Sequence, residues 1–290
     1  MGADVKRSWI LLLPAVFAVS WAAILIRASD APSTSIAFYR MFFAFAMLTP
    51  LAMTGYRRSL SDFTSRSFLI TIVSGFLLAW HFYFWIASLN YTSIASSVVL
   101  VTTQPVFVAL FSALFLNEKP GARGVIAIII AIIGSVLIAG FDFRLQKDYL
   151  WGDLLALAGA IMAGSYLFLG RMVRQNVGVF PYIFTVYGVS AATLGVILLT
   201  SGHLFETYGS TNYLYFFLLA VGPTLIGHSL YNYSLKHIKA HKVGLSIVGE
   251  PVLASIWAIF IFREYPSFGT LVGGALILAA LVLVFSEKGQ

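Results

Sequence analysis

Glu250 is the one acidic residue well inside a long apolar run, eight residues past Lys242 and so roughly 12 Å further along a helix. A charge in hydrocarbon costs about 3 kcal/mol or more, so a carboxylate at this depth is read first as functional. Three roles suit it. It can receive the ammonium of a small molecule, carry a coupling proton, or serve as a structural partner for a histidine, a hydroxyl or Arg40. Gln104 stands 146 residues earlier in an equivalent place, with a similar shape and no charge. Each is followed by a proline, Pro105 or Pro251. A proline inside a helix lacks an N–H and pushes on the carbonyl four residues earlier, here Val101 and Ile247. Carbonyls freed at mid-membrane can face a bound cation. The plainer readings are a hinge, or a packing kink repaired by neighbouring side chains.

Histidines and aromatics form the second group. In "WHFYFWIAS", Trp80 and Phe84 share one helical face, and His81 and Trp85 share another. In "HSLYNYS", His228, Tyr231 and Asn232 fall close together on one face. Any single aromatic is as well placed against lipid as against a cavity, whereas a histidine or asparagine at mid-span should face the interior. An aromatic-lined, modestly polar cavity suits a zwitterion with a large apolar side chain. Trp21, Thr103, Tyr166 and Trp257 complete the candidate lining. Two patterns carry less. His237 and His241 have i,i+4 spacing in the lysine-rich "KHIKAHK", without an acidic neighbour, so no metal site is expected. Gly269 and Gly273 make a GxxxG helix-packing signal, which serves a contact within the monomer or a dimer. No nucleophile–base set, phosphate-binding loop or HExxH occurs, so neither catalytic residues nor a cofactor are expected.

The elements that must position these groups follow from composition. The 290 residues are 60% hydrophobic and only 10% charged, with a mean hydropathy of +0.91. Soluble domains carry about 25% charged residues, so the solvent of this chain is mostly lipid. The net charge of +7 comes from single basic residues scattered among short loops, which argues against a nucleic-acid partner. With no cysteine, there is no disulfide framework and no thiolate zinc site. Runs of about 20 apolar residues, enough to cross hydrocarbon, lie near 9–28, 35–54, 67–89, 93–116, 121–141, 151–171, 178–201, 213–235, 242–262 and 267–285. Helices are the natural reading, because lipid leaves backbone groups no outside partner and the alternation of a β-barrel is absent. The first run follows Lys6 and Arg7 as a signal peptide does. It is long for one, contains two tryptophans and lacks a small-x-small cleavage site, so it reads as a retained span. With the N-terminus in the cytoplasm, thirteen Lys and Arg fall inside and four outside, Arg40 being set aside within a span.

The arrangement repeats. Gln104–Pro120 reads "QPVFVALFSALFLNEKP" and Glu250–Pro266 reads "EPVLASIWAIFIFREYP", with four of seventeen positions identical. Five spans separate the two copies. Five is odd, so the second copy is expected upside down. "WAAILIR" ends in Arg27 as "SYLFLGR" ends in Arg171, and His81 echoes His228 one residue off register. These features resemble the drug/metabolite transporter superfamily, EamA type, over nearly the whole chain. The aromatic third span is similar to the YddG-type amino-acid exporters. The resemblance implies a central cavity between the halves, lined mainly by spans 1, 3, 4, 6, 8 and 9, and efflux of small metabolites.

The expectation is therefore an all-α membrane protein with ten transmembrane helices in two inverted five-helix repeats, 1–146 and 147–290. It would sit in the inner (cytoplasmic) membrane with both termini in the cytoplasm. It would work by alternating access as a secondary exporter of small metabolites, best of all aromatic and neutral amino acids. Its expected partners are a small-molecule substrate and the lipid bilayer, with a homo-oligomer left open. The rival is a membrane-embedded enzyme acting on a lipid-soluble substrate, with His81, His228 and Glu250 as its acid/base groups. Inverted repeats argue against that rival.

Overall fold

The computed structural model describes residues 3–54, 62–115, 122–145, 147–203, 206–238, 240–247 and 249–285. Every regular element among them is helical. In chain order these are α1 (Ala3–Ser20), α2 (Ala22–Arg27), α3 (Ser33–Thr54), α4 (Ser65–Ser88), α5 (Ile94–Val101), α6 (Gln104–Phe115) and α7 (Ala122–Leu145). There follow α8 (Lys147–Arg174), α9 (Val179–Thr200), α10 (Ser210–Leu219), a π-helical segment (Ala220–His228), α11 (Ser229–Ser234), α12 (Ala240–Ile247), α13 (Gly249–Phe262) and α14 (Phe268–Phe285). Among the described residues, seven helical segments are long and apolar enough to cross a membrane. Three shorter apolar helices, Val125–Ile138, Gly249–Phe262 and Phe268–Ala280, fall in α7, α13 and α14. The outer faces are apolar too. Ile129, Ile132, Ile133 and Val136 of α7 all lie exposed, as residues in contact with lipid tails do.

Each apolar run of the sequence coincides with a helix or with a pair of helices in line. The broken pairs matter most. The run 93–116 divides into α5 and α6 at Thr102 and Thr103, just before Pro105. The threonine hydroxyls turn back to the Val99 and Leu100 carbonyls at 2.9 and 2.7 Å, so the end of α5 supplies its own partners. In the run 242–262, α12 and α13 lie on either side of residue 248, which is outside the described residues. A second irregularity is the π-helical turn around Pro223, where the Thr224 hydroxyl reaches the Leu219 carbonyl five residues back at 3.0 Å.

Glycines let the helices approach closely. On α8, a Cβ at Gly152 would lie 3.0 Å from the Ser88 carbonyl oxygen, and one at Gly159 would lie 3.3 Å from Trp85 Cβ, so α4 and α8 run in contact. Between α7 and α14 the fit is tighter. A Cβ on Gly273 would fall 2.5 Å from the Gly134 carbonyl oxygen, and one on Gly134 would fall 2.7 Å from that of Gly273. Gly269 meets Phe141 of the same helix α7. The GxxxG pair is thus occupied within the monomer. Of the KHIKAHK histidines, His237 packs against Tyr233 at 5.3 Å between ring centroids, and the side chain of His241 lies outside the described residues. Among the described residues no cluster could hold a metal ion.

Arginines tie both ends of the bundle. At one end, Arg27 donates to the Thr92 carbonyl at 2.8 Å and pairs with Glu264 at 3.7 Å, while Glu264 accepts from the Ile94 N–H at the start of α5. Gly152, early in α8, packs against Thr92 at that same end. Arg171 lies 19 residues further along α8, roughly 28 Å away. There it donates to the Leu235 and Lys236 carbonyls beyond α11. Arg27 and Arg171 are 144 positions apart, and so are Thr92 and Lys236.

A valine at Gly273 should therefore force α7 and α14 apart and cost about 1–3 kcal/mol, the range for overpacked interiors. Gly274→Ala meets only ordinary contacts, 3.6 Å from Val99, and should be near neutral. Unfolding of the purified variants in detergent checks the contrast.

Candidate functional site

The α5–α6 break and the stretch around Glu250 border one cavity. It is lined by Val19 and Ala22 from the first two helices, Arg40 from α3, His81 and Trp85 from α4, and Val101 and Gln104 at the α5–α6 break. Tyr166 and Leu167 of α8, His228 and Tyr231 on the π–α11 stretch, Ile247 of α12 and Glu250 of α13 complete it. Val101 and Ile247 are the residues whose carbonyls lose an amide donor to Pro105 and Pro251, so both weakened carbonyl positions face the same space. The free volume is about 30 Å³, room for one or two waters at most. Ligand pockets usually hold about 300–1,000 Å³, so in this arrangement the space is too small for a substrate.

Arg40 is the strongest chemical feature here. It sits on the buried stripe of α3 formed by Ile36, Ala37, Met41, Ala44 and Leu48, and it is itself fully buried. Its Nε donates to the Thr224 hydroxyl at 2.7 Å, and its guanidinium carbon lies 4.0 Å from the centre of the Phe82 ring. Thr224 is available because the π-helical turn presents it. These two contacts fix the plane of the guanidinium. Nη1 and Nη2 have no hydrogen-bond partner among the described residues. Across the cavity Glu250 is almost fully buried and makes no ion pair among them. A charge in such a place normally finds partners, and these two groups have not found each other.

Other lining residues carry donors too. Trp85 Nε1 and the Tyr231 hydroxyl are buried without a partner among the described residues. His81 Nδ1 lies 3.0 Å from the Gly159 carbonyl, which only accepts, so in the neutral ring Nδ1 carries the hydrogen and Nε2 is left as an acceptor. Trp85 stacks on His81 at 5.9 Å, and the His81 and His228 rings lie 6.3 Å apart.

Several sequence candidates lie elsewhere. Trp80 and Phe84 stack on each other at 5.3 Å on a half-exposed face of α4 with Phe76 and Tyr83. One residue along a helix turns the side chain about 100°, which separates them from His81 and Trp85. Trp21 and Trp257 stack face to face at 4.9 Å and spend their surface on each other, with the Trp257 indole N–H on the Ser20 hydroxyl at 3.1 Å. Thr103 caps Leu100. Asn232 sits behind the cavity and holds it in shape. Its amide donates to the Tyr166 hydroxyl at 2.5 Å and to the His228 carbonyl at 2.8 Å. Arg40 was the residue that sequence reasoning passed over, although the cost argument applied to Glu250 applies to it equally.

Replacing Thr224 by Val removes the neutral partner of a buried cation. Bonds to charged groups contribute about 1.5–3 kcal/mol, so the variant should lose stability of that order in detergent. Thr224→Ser keeps the hydroxyl and should stay close to wild type.

Comparison with known proteins agrees with this architecture. An uncharacterized transporter of Archaeoglobus fulgidus is 26% identical over 268 residues, 91% of each chain. An S-adenosylmethionine uptake transporter of Rickettsia felis is 25% identical, covering 88% of this chain and 84% of its own. Human solute carrier family 35 member G1 is 27% identical over 65% of this chain and 54% of its own. A chain of known crystal structure superposes with a TM-score of 0.69 at 18% identity, covering 98% of this chain and 99% of that one, which shows a shared fold. The model of the EamA-like transporter family matches twice, over residues 7–140 and 150–286, so this multi-pass membrane chain belongs to the EamA-like transporter family.

Proposed function

We propose that the protein is a secondary transporter that moves small metabolites carrying an amino-acid head group by alternating access, with export as the direction. The observation that carries this reading is the small cavity between the α5–α6 break and Glu250, lined by residues whose buried donors have no partner among the described residues, and by a carboxylate. A substrate would supply the partners those groups lack. Aromatic and other neutral amino acids suit the mixture of Trp85, Tyr166 and Tyr231 with polar groups. The substrate named for the Rickettsia relative, S-adenosylmethionine, is itself an α-amino acid with an aromatic base.

We also propose ten membrane spans in two inverted five-helix repeats, 1–146 and 147–290, in the inner membrane with both termini in the cytoplasm. The double family match supports this. So do the prolines repeated at 105 and 251 and the two arginine ties at opposite ends of α8. In this reading Pro105 and Pro251 mark the hinges, and the Arg27–Glu264 tie closes one entrance while Arg171 closes the other. The rival, a membrane-embedded enzyme, gains nothing from two closures and a repeat. No cofactor is assigned.

Purified protein in liposomes preloaded with unlabelled amino acids should take up labelled phenylalanine by exchange, well above empty liposomes. Absence of exchange across a panel of neutral amino acids and S-adenosylmethionine would remove this substrate class. Topology has its own test, made simple by the absence of native cysteine. Cysteine at Gly209 should react with an impermeant reagent added to intact cells, and cysteine at Asn176 should not. Reaction at Asn176 from outside would overturn the orientation.

A further inference from the structure

We infer that Arg40 and Glu250 are the two poles of a zwitterion clamp. The free Nη1 and Nη2 of Arg40 take the substrate carboxylate, and Glu250 takes its ammonium. This rests on the amino-acid reading above and adds the residue that anchors the acid end. The argument begins with what Arg40 lacks. A fully buried guanidinium is normally surrounded by acceptors, and here only Nε is tied, to Thr224, with Phe82 beneath the plane. Arg40 lines the cavity, and its two terminal nitrogens form a buried fork without a partner among the described residues. Such a fork matches a carboxylate with two parallel hydrogen bonds. Glu250 lines the same cavity without bonding to Arg40.

The surroundings sharpen the specificity. An anion without an ammonium would leave Glu250 facing it unpaired. An amine without a carboxylate would leave Arg40 unpaired and add a second cation. Only a molecule with both groups satisfies both poles. Trp85 and Tyr231 then border the side chain with indole N–H and phenol donors that have no partner of their own among the described residues. Arg40 belongs to the first family match and Glu250 to the second, so a bound zwitterion bridges the two parts of the chain. The small free volume means that it does so in a wider arrangement than this one.

The test uses the full chain in liposomes and three competitors of labelled phenylalanine exchange: phenylalanine, phenethylamine and 3-phenylpropionate. In wild type, each half-ligand should compete on the order of 100-fold more weakly than phenylalanine, because a site built for a polar group rejects a ligand lacking it. In Glu250→Gln, the KM should rise about tenfold, and phenylpropionate should now compete nearly as well as phenylalanine. In Arg40→Lys, which keeps the charge but not the fork, the KM should rise while the discrimination against phenylpropionate persists. Arg40→Gln should bring phenethylamine level with phenylalanine. Should Arg40→Gln fail to fold, the Arg40→Lys and Glu250→Gln readouts decide the matter. Wild-type exchange with equal competition by all three compounds would overturn the clamp and leave the transport reading standing. So would variants that are less stable but unchanged in KM and selectivity. Wild type that exchanges no amino acid would overturn both.

Discussion

A buried guanidinium whose two terminal nitrogens have no partner among the described residues is the constraint around which the rest of this structure is arranged. In a bundle whose outer face meets lipid, no water reaches such a group from the side. Its partners must come from neighbouring helices or from the cavity. Thr224 and Phe82 provide one hydrogen bond and one ring face, and the first depends on backbone detail, the π-helical turn that presents the threonine. Burying a charge incompletely paired costs stability. A transport site can bear that cost, because a substrate that completes the pairing is held by the same groups.

In the proposed reading, Pro105 and Pro251 give that site a way to change shape. A continuous helix resists bending, because each amide is committed to the carbonyl four residues back. At Pro105 and Pro251 that commitment is missing, and the loss falls beside the cavity. The arginine ties at the two ends bind carbonyls and one carboxylate at exposed or half-buried positions, where such bonds are modest in strength and open more easily than the glycine-packed middle. In that reading, closely packed pairs such as α7 with α14, near each other at Gly134 and Gly273, would be the frame against which the hinges turn.

The helical class and the apolar stretches that form helices among the described residues could be read from apolar runs, because length in lipid is a strong constraint. The break between α5 and α6 had its trace in the Pro-Val at 105–106. Of the candidate lining, His81, Trp85, Gln104, Tyr166, His228, Tyr231 and Glu250 do border the cavity. The misplacements share one cause. In a soluble helix the polar face marks the outside, but here both faces of α4 are aromatic. Nothing in "WHFYFWIAS" says whether Trp80 or His81 turns inward. Asn232 was read as lining because it is polar and central, and it is instead the bracket behind Tyr166. The π-helical turn left only Gly222 and Pro223 as a trace, and without that turn the anchoring of Arg40 cannot be deduced.

The central claim is that one cavity serves both sides of the membrane in turn. Ala22 lines that cavity, and the chain contains no cysteine of its own. The most direct measurement is the labelling of Ala22→Cys in sealed vesicles of known orientation, with an impermeant thiol reagent added first outside and then inside only. The account predicts labelling from either side, slowed by a transported amino acid in both cases. Labelling from one side only, in a variant that still exchanges amino acids, would contradict it.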